Sequence, residues 1–219
     1  MYKKLFPVVI VAALSACNNQ PKETVQAKEA AASATVIDSS KASVTYNLDS
    51  TSSTLQWEGY EGLSLGKSEH NGSLIIKSGT ITVQNKLPVA GKFSMAINSL
   101  KVADIPVEKS SNAKLVKHLL DVDFFDAARF PEASFEITNA VANGTDSINI
   151  TGNLTLKGVS KSITIPAATK VSDAVFTATT PKFYINRKDW GMFYKSENSF
   201  GDEMIRPEMG IILNISAKK

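Results

Sequence analysis

The sequence predicts an all-β domain of many short antiparallel strands, a sandwich or a barrel, interrupted by one helix. Three observations predict it. From Ser43 onward, apolar and polar residues alternate in one short run after another, the period-two signature of half-buried strands. Turn signals containing Gly or Asn separate those runs at close spacing. In one stretch the spacing changes, and Leu115, Val116, Leu119 and Leu120 recur at helical intervals.

The first 42 residues stand apart from this pattern. Lys3 and Lys4 make a basic start, and residues 5–14 form an apolar run too short to cross a bilayer. Leu14-Ser15-Ala16-Cys17 then matches the bacterial lipobox, in which small residues let a signal peptidase bind an extended chain and the thiol takes a diacylglycerol. Cys17 is the only Cys. Residues 1–16 therefore read as a lipoprotein signal peptide, and residues 17–42 as a lipidated Cys followed by a disordered tether. The tether is rich in Ala, Ser, Lys, Glu and Gln and has no aromatic residue. Asn18 rather than Asp after the Cys favours the outer membrane, by analogy with export rules. The expectation is a lipid-anchored protein of the bacterial cell envelope, on its periplasmic or surface face.

Residues 43–219 read as the folded domain. Val44, Tyr46 and Leu48 alternate with polar neighbours, as do Leu55 and Trp57. His70-Asn71-Gly72 carries a tight-turn signature. Leu74 and Ile76 before Ser78-Gly79, with Ile81 and Val83 after it, predict a hairpin. Phe93, Met95 and Ile97 form the next strand. The helix follows, with Ser110 or Ser111 as its N-cap. Pro131 pushes Phe130 towards an extended conformation, so any helical turn ends there. Ala133, Phe135 and Ile137 then alternate as a strand. Ile148 and Ile150 follow the turn at Asn143-Gly144, Ile163 and Ile165 follow the Gly158 turn, and Ile211, Leu213 and Ile215 close the chain. An eight-stranded closed sheet removes exposed edges and leaves an interior that side chains fill or one ligand occupies. Covering one opening of such a barrel would give the helix a partner for its apolar stripe.

Composition narrows the function classes. Without Lys3 and Lys4 the chain has 22 basic against 21 acidic residues, so no basic field points to nucleic acid. With its one thiol acylated, the domain has no disulfide, and about 175 residues suffice for a sizeable core. His70 and His118 have no neighbours at metal-ligand spacing, so neither a metal nor a cofactor is expected. There is no G-x-S-x-G elbow and no Cys nucleophile. Asp121, Asp123 and Asp126 suit solvent-facing residues and caps at a helix end better than general acid–base work. Arg187 and Asp189, two apart in a strand, share a face and suit an ion pair, with Trp190 on the opposite apolar face. The alternative use of Arg187 is to receive the polar head of a lipid, such as a phosphate. Catalysis finds no support, and the protein reads as a non-enzyme.

Three runs together carry a resemblance. The first, L-L-D-V-D-F-F-D-A-A-R-F-P-E-A-S-F-E over residues 119–136, holds four of the chain's ten Phe. The second is G-N-L-T-L-K-G-V-S-K over residues 152–161, and the third is I-N-R-K-D-W-G over residues 185–191. In this order they resemble the YceI-like family of bacterial envelope proteins, across residues 44–219. The resemblance implies an elongated, lipocalin-like antiparallel β-barrel with one short helix near an opening, holding a long apolar ligand, typically a polyisoprenoid, in its lumen. The chain departs from the family at residues 63–72, which are polar where many members carry an apolar run. Candidate lumen residues are Trp57, Phe93, Met95, Leu115, Leu119, Phe124, Phe125, Phe130, Phe135, Trp190 and Phe193. His118 and Arg187 are candidate contacts for a polar head group. The expected partners are an isoprenoid or quinone-like lipid in the lumen and a membrane through the N-terminal anchor. Two rival functions remain open. One is an interaction lipoprotein with a side-chain-filled barrel that works through loops 61–71 or 196–207. The other is an enzyme on an isoprenoid or quinone, which needs a titratable group in the lumen.

Overall fold

The alternating runs pair into one antiparallel sheet of eleven strands. The computed structural model describes residues 24–32, 37–62, 70–196 and 204–219, so the signal segment and Cys17 lie outside the described residues. The strands are β1 (Lys28–Glu29), β2 (Val44–Leu48), β3 (Thr54–Gly59), β4 (His70–Gln84) and β5 (Leu87–Val102). The helix α1 (Ser110–Leu120) follows, then β6 (Glu132–Ala142), β7 (Ser147–Leu156), β8 (Val159–Val171), β9 (Val175–Thr179), β10 (Phe183–Asn186) and β11 (Glu208–Lys218).

Pairing runs β8-β7-β6-β5-β4-β2-β11, and β9 joins both β11 and β8, which closes the sheet into a barrel. Both β2 and β3 lie between β4 and β11, one above the other, and β9 and β10 share a second position beside β11. Apart from β1, which lies between β8 and β10, the wall therefore has eight staves, the closed sheet expected from the sequence. Two hairpins close on residues with positive φ: Asn85 and Lys86 (50° and 66°), and Lys157 and Gly158 (49° and 75°). That left-handed pair matches the twist of the strands it joins.

The inward positions of the staves form one core, including Tyr46, Ile76, Ile97, Ile137, Ile163, Phe176 and Ile185, each at most 3% exposed. Asn112 fixes α1 over one end. Its side-chain amide donates to the carbonyls of Val102 (3.2 Å) and Ile105 (2.7 Å), tying the helix to the end of β5.

Several local expectations are corrected. Ser78-Gly79 is not a turn, because β4 runs through it with only a register irregularity. Gly79 instead leaves room for the Phe93 ring, which a Cβ there would approach to 2.4 Å. Likewise His70-Asn71-Gly72 begins β4, because the Trp57 indole and the Lys101 carbonyl fill the space beside Gly72. The helix N-cap is Lys109, without a side-chain hydrogen bond, and Ser110 is already helical. Part of the expected tether is built into the wall. Lys28–Glu29 pairs with β8, and Val25 and Ala27 pack against the core. Composition concealed the alternation in Thr24-Val25-Gln26-Ala27-Lys28, whose small apolar side chains suit a shallow outer seat.

Candidate functional site

The barrel interior is hollow. It holds a cavity of about 260 Å³ lined by some forty residues. One water needs roughly 10–15 Å³ by the same kind of measure, so this space exceeds a packing defect more than tenfold. Its wall is aliphatic and aromatic along the length of the barrel, from Ile81, Ala167 and Phe176 at one end to Phe124 and Leu115 and Leu119 of α1 at the other.

Ten candidate residues fall on this wall: Trp57, Phe93, Met95, Leu115, Leu119, Phe124, Phe125, Phe135 and both polar candidates, His118 and Arg187. Phe130, Trp190 and Phe193 do not. Phe130 lies against the space over Gly158 and under the Arg129 guanidinium, 5.2 Å from the ring centre. Trp190 is fully buried, and its indole N–H donates to the Leu154 carbonyl at 3.0 Å. Phe193 is 57% exposed. Aromatic residues near a motif were thus a weak guide. The strands contribute many wall residues that the sequence marked only as alternating, such as Ile76, Ile150, Ile163, Ile211 and Leu213, and others it did not mark, such as Phe183. Period two separates the faces of a strand but does not say which one turns inward.

Polar groups gather at the α1 end. Arg187 lines the cavity and is 1% exposed, but it does not pair with Asp189. Residues Arg187–Trp190 form a 3-10 turn rather than a strand, so positions two apart no longer share a face. The guanidinium instead donates to four backbone carbonyls: Arg206 (3.1 Å), Met192 (2.6 Å), Tyr194 (2.7 Å) and Ile205 (2.8 Å). It also faces the Phe124 ring at 5.6 Å. Burial pulls its pKa down to about 10, against support from nearby Glu208. Glu208, 2% exposed, is itself bound to Arg206 at 3.0 Å. Asp189, left without that guanidinium, has its carboxyl pushed up by burial, against the pull of Lys161 and Lys188.

His118 packs edge-on against Phe124 and Tyr194, at 5.1 and 4.8 Å between ring centres. His70 binds Asp104 at 2.8 Å. Glu58 accepts from Lys182 at 2.6 Å and from the Tyr60 hydroxyl. Asp121 caps α1, but Asp126 is buried rather than solvent-facing. Among the described residues, no three His, Cys, Asp or Glu side chains converge as metal ligands. The site therefore offers an apolar tube with one polar end whose charges are held by the protein itself. That arrangement suits burial of a long apolar molecule.

Comparisons with known proteins agree with this geometry. Residues 46–217 match the YceI-like domain. The chain is 38% identical over 89 residues to protein YceI of Escherichia coli O157:H7, a stretch covering 41% of this chain and 43% of that protein. The chain thus matches less than half the length of such curated relatives. Two solved structures share the fold. BcnA of Burkholderia cenocepacia superposes with a TM-score of 0.57 at 15% identity, covering 78% of this chain and 99% of that one. A polyisoprenoid binding domain from Saccharophagus degradans superposes with a TM-score of 0.54 at 13% identity, covering 79% and 97%.

Proposed function

The chain belongs to the YceI-like domain family, and on that premise we propose that it is a non-enzymatic carrier that holds a long isoprenoid-type lipid in its barrel. The single observation that carries this reading is the cavity of about 260 Å³ with its apolar wall. A barrel packed solid by its own side chains would lack it. The structural neighbour described as polyisoprenoid binding supports the ligand class. Transfer of apolar chain from water into such a tube is favourable at about 25 cal/mol per Å². A ligand of about forty heavy atoms at about 0.3 kcal/mol each would bind with about 12 kcal/mol, enough to survive purification.

The titratable groups on the wall favour holding over reacting. Arg187 spends its donors on carbonyls, Glu208 is bound to Arg206, His70 and Glu58 have partners of their own, and His118 is wedged edge-on between the Phe124 and Tyr194 rings. The envelope location belongs to the same proposal. A lipid on Cys17 would keep the barrel at a membrane, the outer one by its Asn18, where a water-insoluble cargo is loaded and delivered. Replacing Cys17 with Ser should then release the protein into the soluble fraction.

The carrier reading is tested by native mass spectrometry and solvent extraction of the full mature chain. A stoichiometric extra mass that moves into organic solvent is expected. Phe93→Asp places a charge on the wall and should abolish that mass while the circular dichroism spectrum stays that of a folded barrel. An apo mass for the parent chain, with no uptake of polyprenol or quinone lipids on incubation, would sink the proposal.

A further inference from the structure

We propose that residues 24–31 form a removable stave, and that its release opens a lateral way into the lumen between β8 and β10. The proposal rests on the carrier reading. It begins from a gap in the pairing. On its far side from β7, β8 pairs with β9 only over Ala168 to Val171, while β10 pairs with β11. Among the described residues, β8 and β10 do not pair with each other. Between them lies the N-terminal segment, bridged to Tyr184 at Thr24 and paired with Lys161 and Ser162 at Lys28–Glu29. Behind it stand Ile163, Ile165, Phe183 and Ile185, all on the cavity wall.

This stave is held far more weakly than the rest. Its hydrogen bonds include Val25 N–H to the Tyr184 carbonyl (2.8 Å) and a pair between Asn153 and the Ala31 backbone (3.0 and 2.7 Å), beside the two-residue pairing with β8. The ion pair of Lys161 with Glu29 lies at the surface, where Glu29 is 93% exposed, and adds little. Its apolar contacts are small, through Val25 and Ala27. The Thr24 hydroxyl is buried without a hydrogen-bond partner among the described residues, which disfavours the seated state.

At each end of the barrel, by contrast, the described residues include a tightly packed cluster. At the α1 end Arg187 gathers four carbonyls over Trp190 and Met192, both at 0% exposure. At the other, Tyr46 and Phe176 pack together at 1% exposure, and the Tyr46 hydroxyl donates to the Ser172 carbonyl at 2.7 Å. A ligand passing through either of these clusters must break its packing. Passing the seam requires only that residues 24–31 lift away.

The test is a reversible lock. Lys28 and Ser162 are directly opposite across the antiparallel pair, a separation that a disulfide spans. In the full chain, Lys28→Cys and Ser162→Cys are combined with Cys17→Ser, which removes the lone native thiol. Transfer of solanesol, a long polyprenol, from phosphatidylcholine vesicles to the solvent-extracted protein is timed before and after reduction. Oxidation should slow transfer by at least about tenfold, with recovery on reduction. Equal rates, with the disulfide verified by mass, overturn the seam. No transfer in either state or to the parent chain overturns the carrier reading itself. Asn153→Ala, which removes both bonds to Ala31 and forms no part of the wall, gives the complementary result. It should speed transfer, and an unchanged rate counts against the seam.

Discussion

At the scale of single residues, Arg187 shows what sequence can and cannot assign. Its motif drew attention to it, but the expected partner was Asp189, two residues along a supposed strand. The chain turns into a 3-10 helix at that point, and four carbonyls from two segments take the guanidinium instead. No local pattern announces such a contact, because the acceptors lie in the backbone of residues 192–206. A buried cation with four acceptors predicts that Arg187→Met destabilises by about 3–5 kcal/mol, since the carbonyls are left without donors. Arg187→Lys should recover only part of this, because an ammonium cannot reach four acceptors in a planar fork. Urea midpoints measure both, and a Met variant within about 1 kcal/mol of the parent would show that water replaces the guanidinium.

Glu58 gives a pH-dependent counterpart. Burial raises its pKa, but Lys182 and the Tyr60 hydroxyl outweigh this and hold the carboxyl below its usual value. A carboxylate whose pKa is lowered on folding adds stability that is present above the unfolded value, about 4.3, and is lost as pH falls through the folded one. Lys182→Met removes the main source of that lowering. The variant should be less stable by about 1 kcal/mol near pH 7 and indistinguishable from the parent near pH 3. A deficit that persists undiminished at the acid end would assign the loss to packing of the Lys182 stem instead.

At the scale of elements, legibility followed the role each glycine plays. The Lys157-Gly158 hairpin was read correctly because its glycine does what a turn glycine does, with φ at 75°. Ser78-Gly79 was misread as a turn because the same residue type also lets an aromatic ring lie flat on a neighbouring strand, here Phe93 on Gly79. The two uses look alike until the partner strand is in place. Gly158→Ala should therefore cost more than about 1 kcal/mol, through positive φ and through a Cβ placed 2.5 Å from the Phe130 ring. Combining it with Phe130→Ala separates the two causes in thermal melts. Recovery of most of the loss would assign it to the ring, and no recovery to the backbone. Residues 24–31 were hidden for a different reason. Two paired residues and two small apolar side chains stand below the threshold at which alternation is distinguishable from a polar tether.

At the scale of the whole molecule, closure was legible but emptiness was not. Regular alternation over many runs is enough to require two-faced staves, and eight of them close into a barrel, with residues 24–31 filling the gap left between β8 and β10. Whether the inward side chains meet depends on barrel radius and on volumes summed across all staves, which no single run records. A cavity of about 260 Å³ forgoes the dispersion contacts that a close-packed interior would have. The apo barrel should accordingly be less stable than its size suggests, and a bound lipid should restore the difference. At a free ligand concentration about 100-fold above Kd, binding adds about 2.7 kcal/mol to the folded state. For a domain of about 175 residues each kcal/mol moves Tm by about 2–4 °C, so extraction should lower Tm by about 5–10 °C. Re-addition of the extracted lipid should return it, and a short-chain alcohol that cannot fill the tube should not. Scanning calorimetry of purified, extracted and reloaded protein measures all three states. An extracted barrel that melts with the purified one, after mass spectrometry has shown the cargo to be gone, would mean that the wall relaxes inward and closes the cavity. The space would then be a property of the loaded state, induced by the lipid rather than waiting for it.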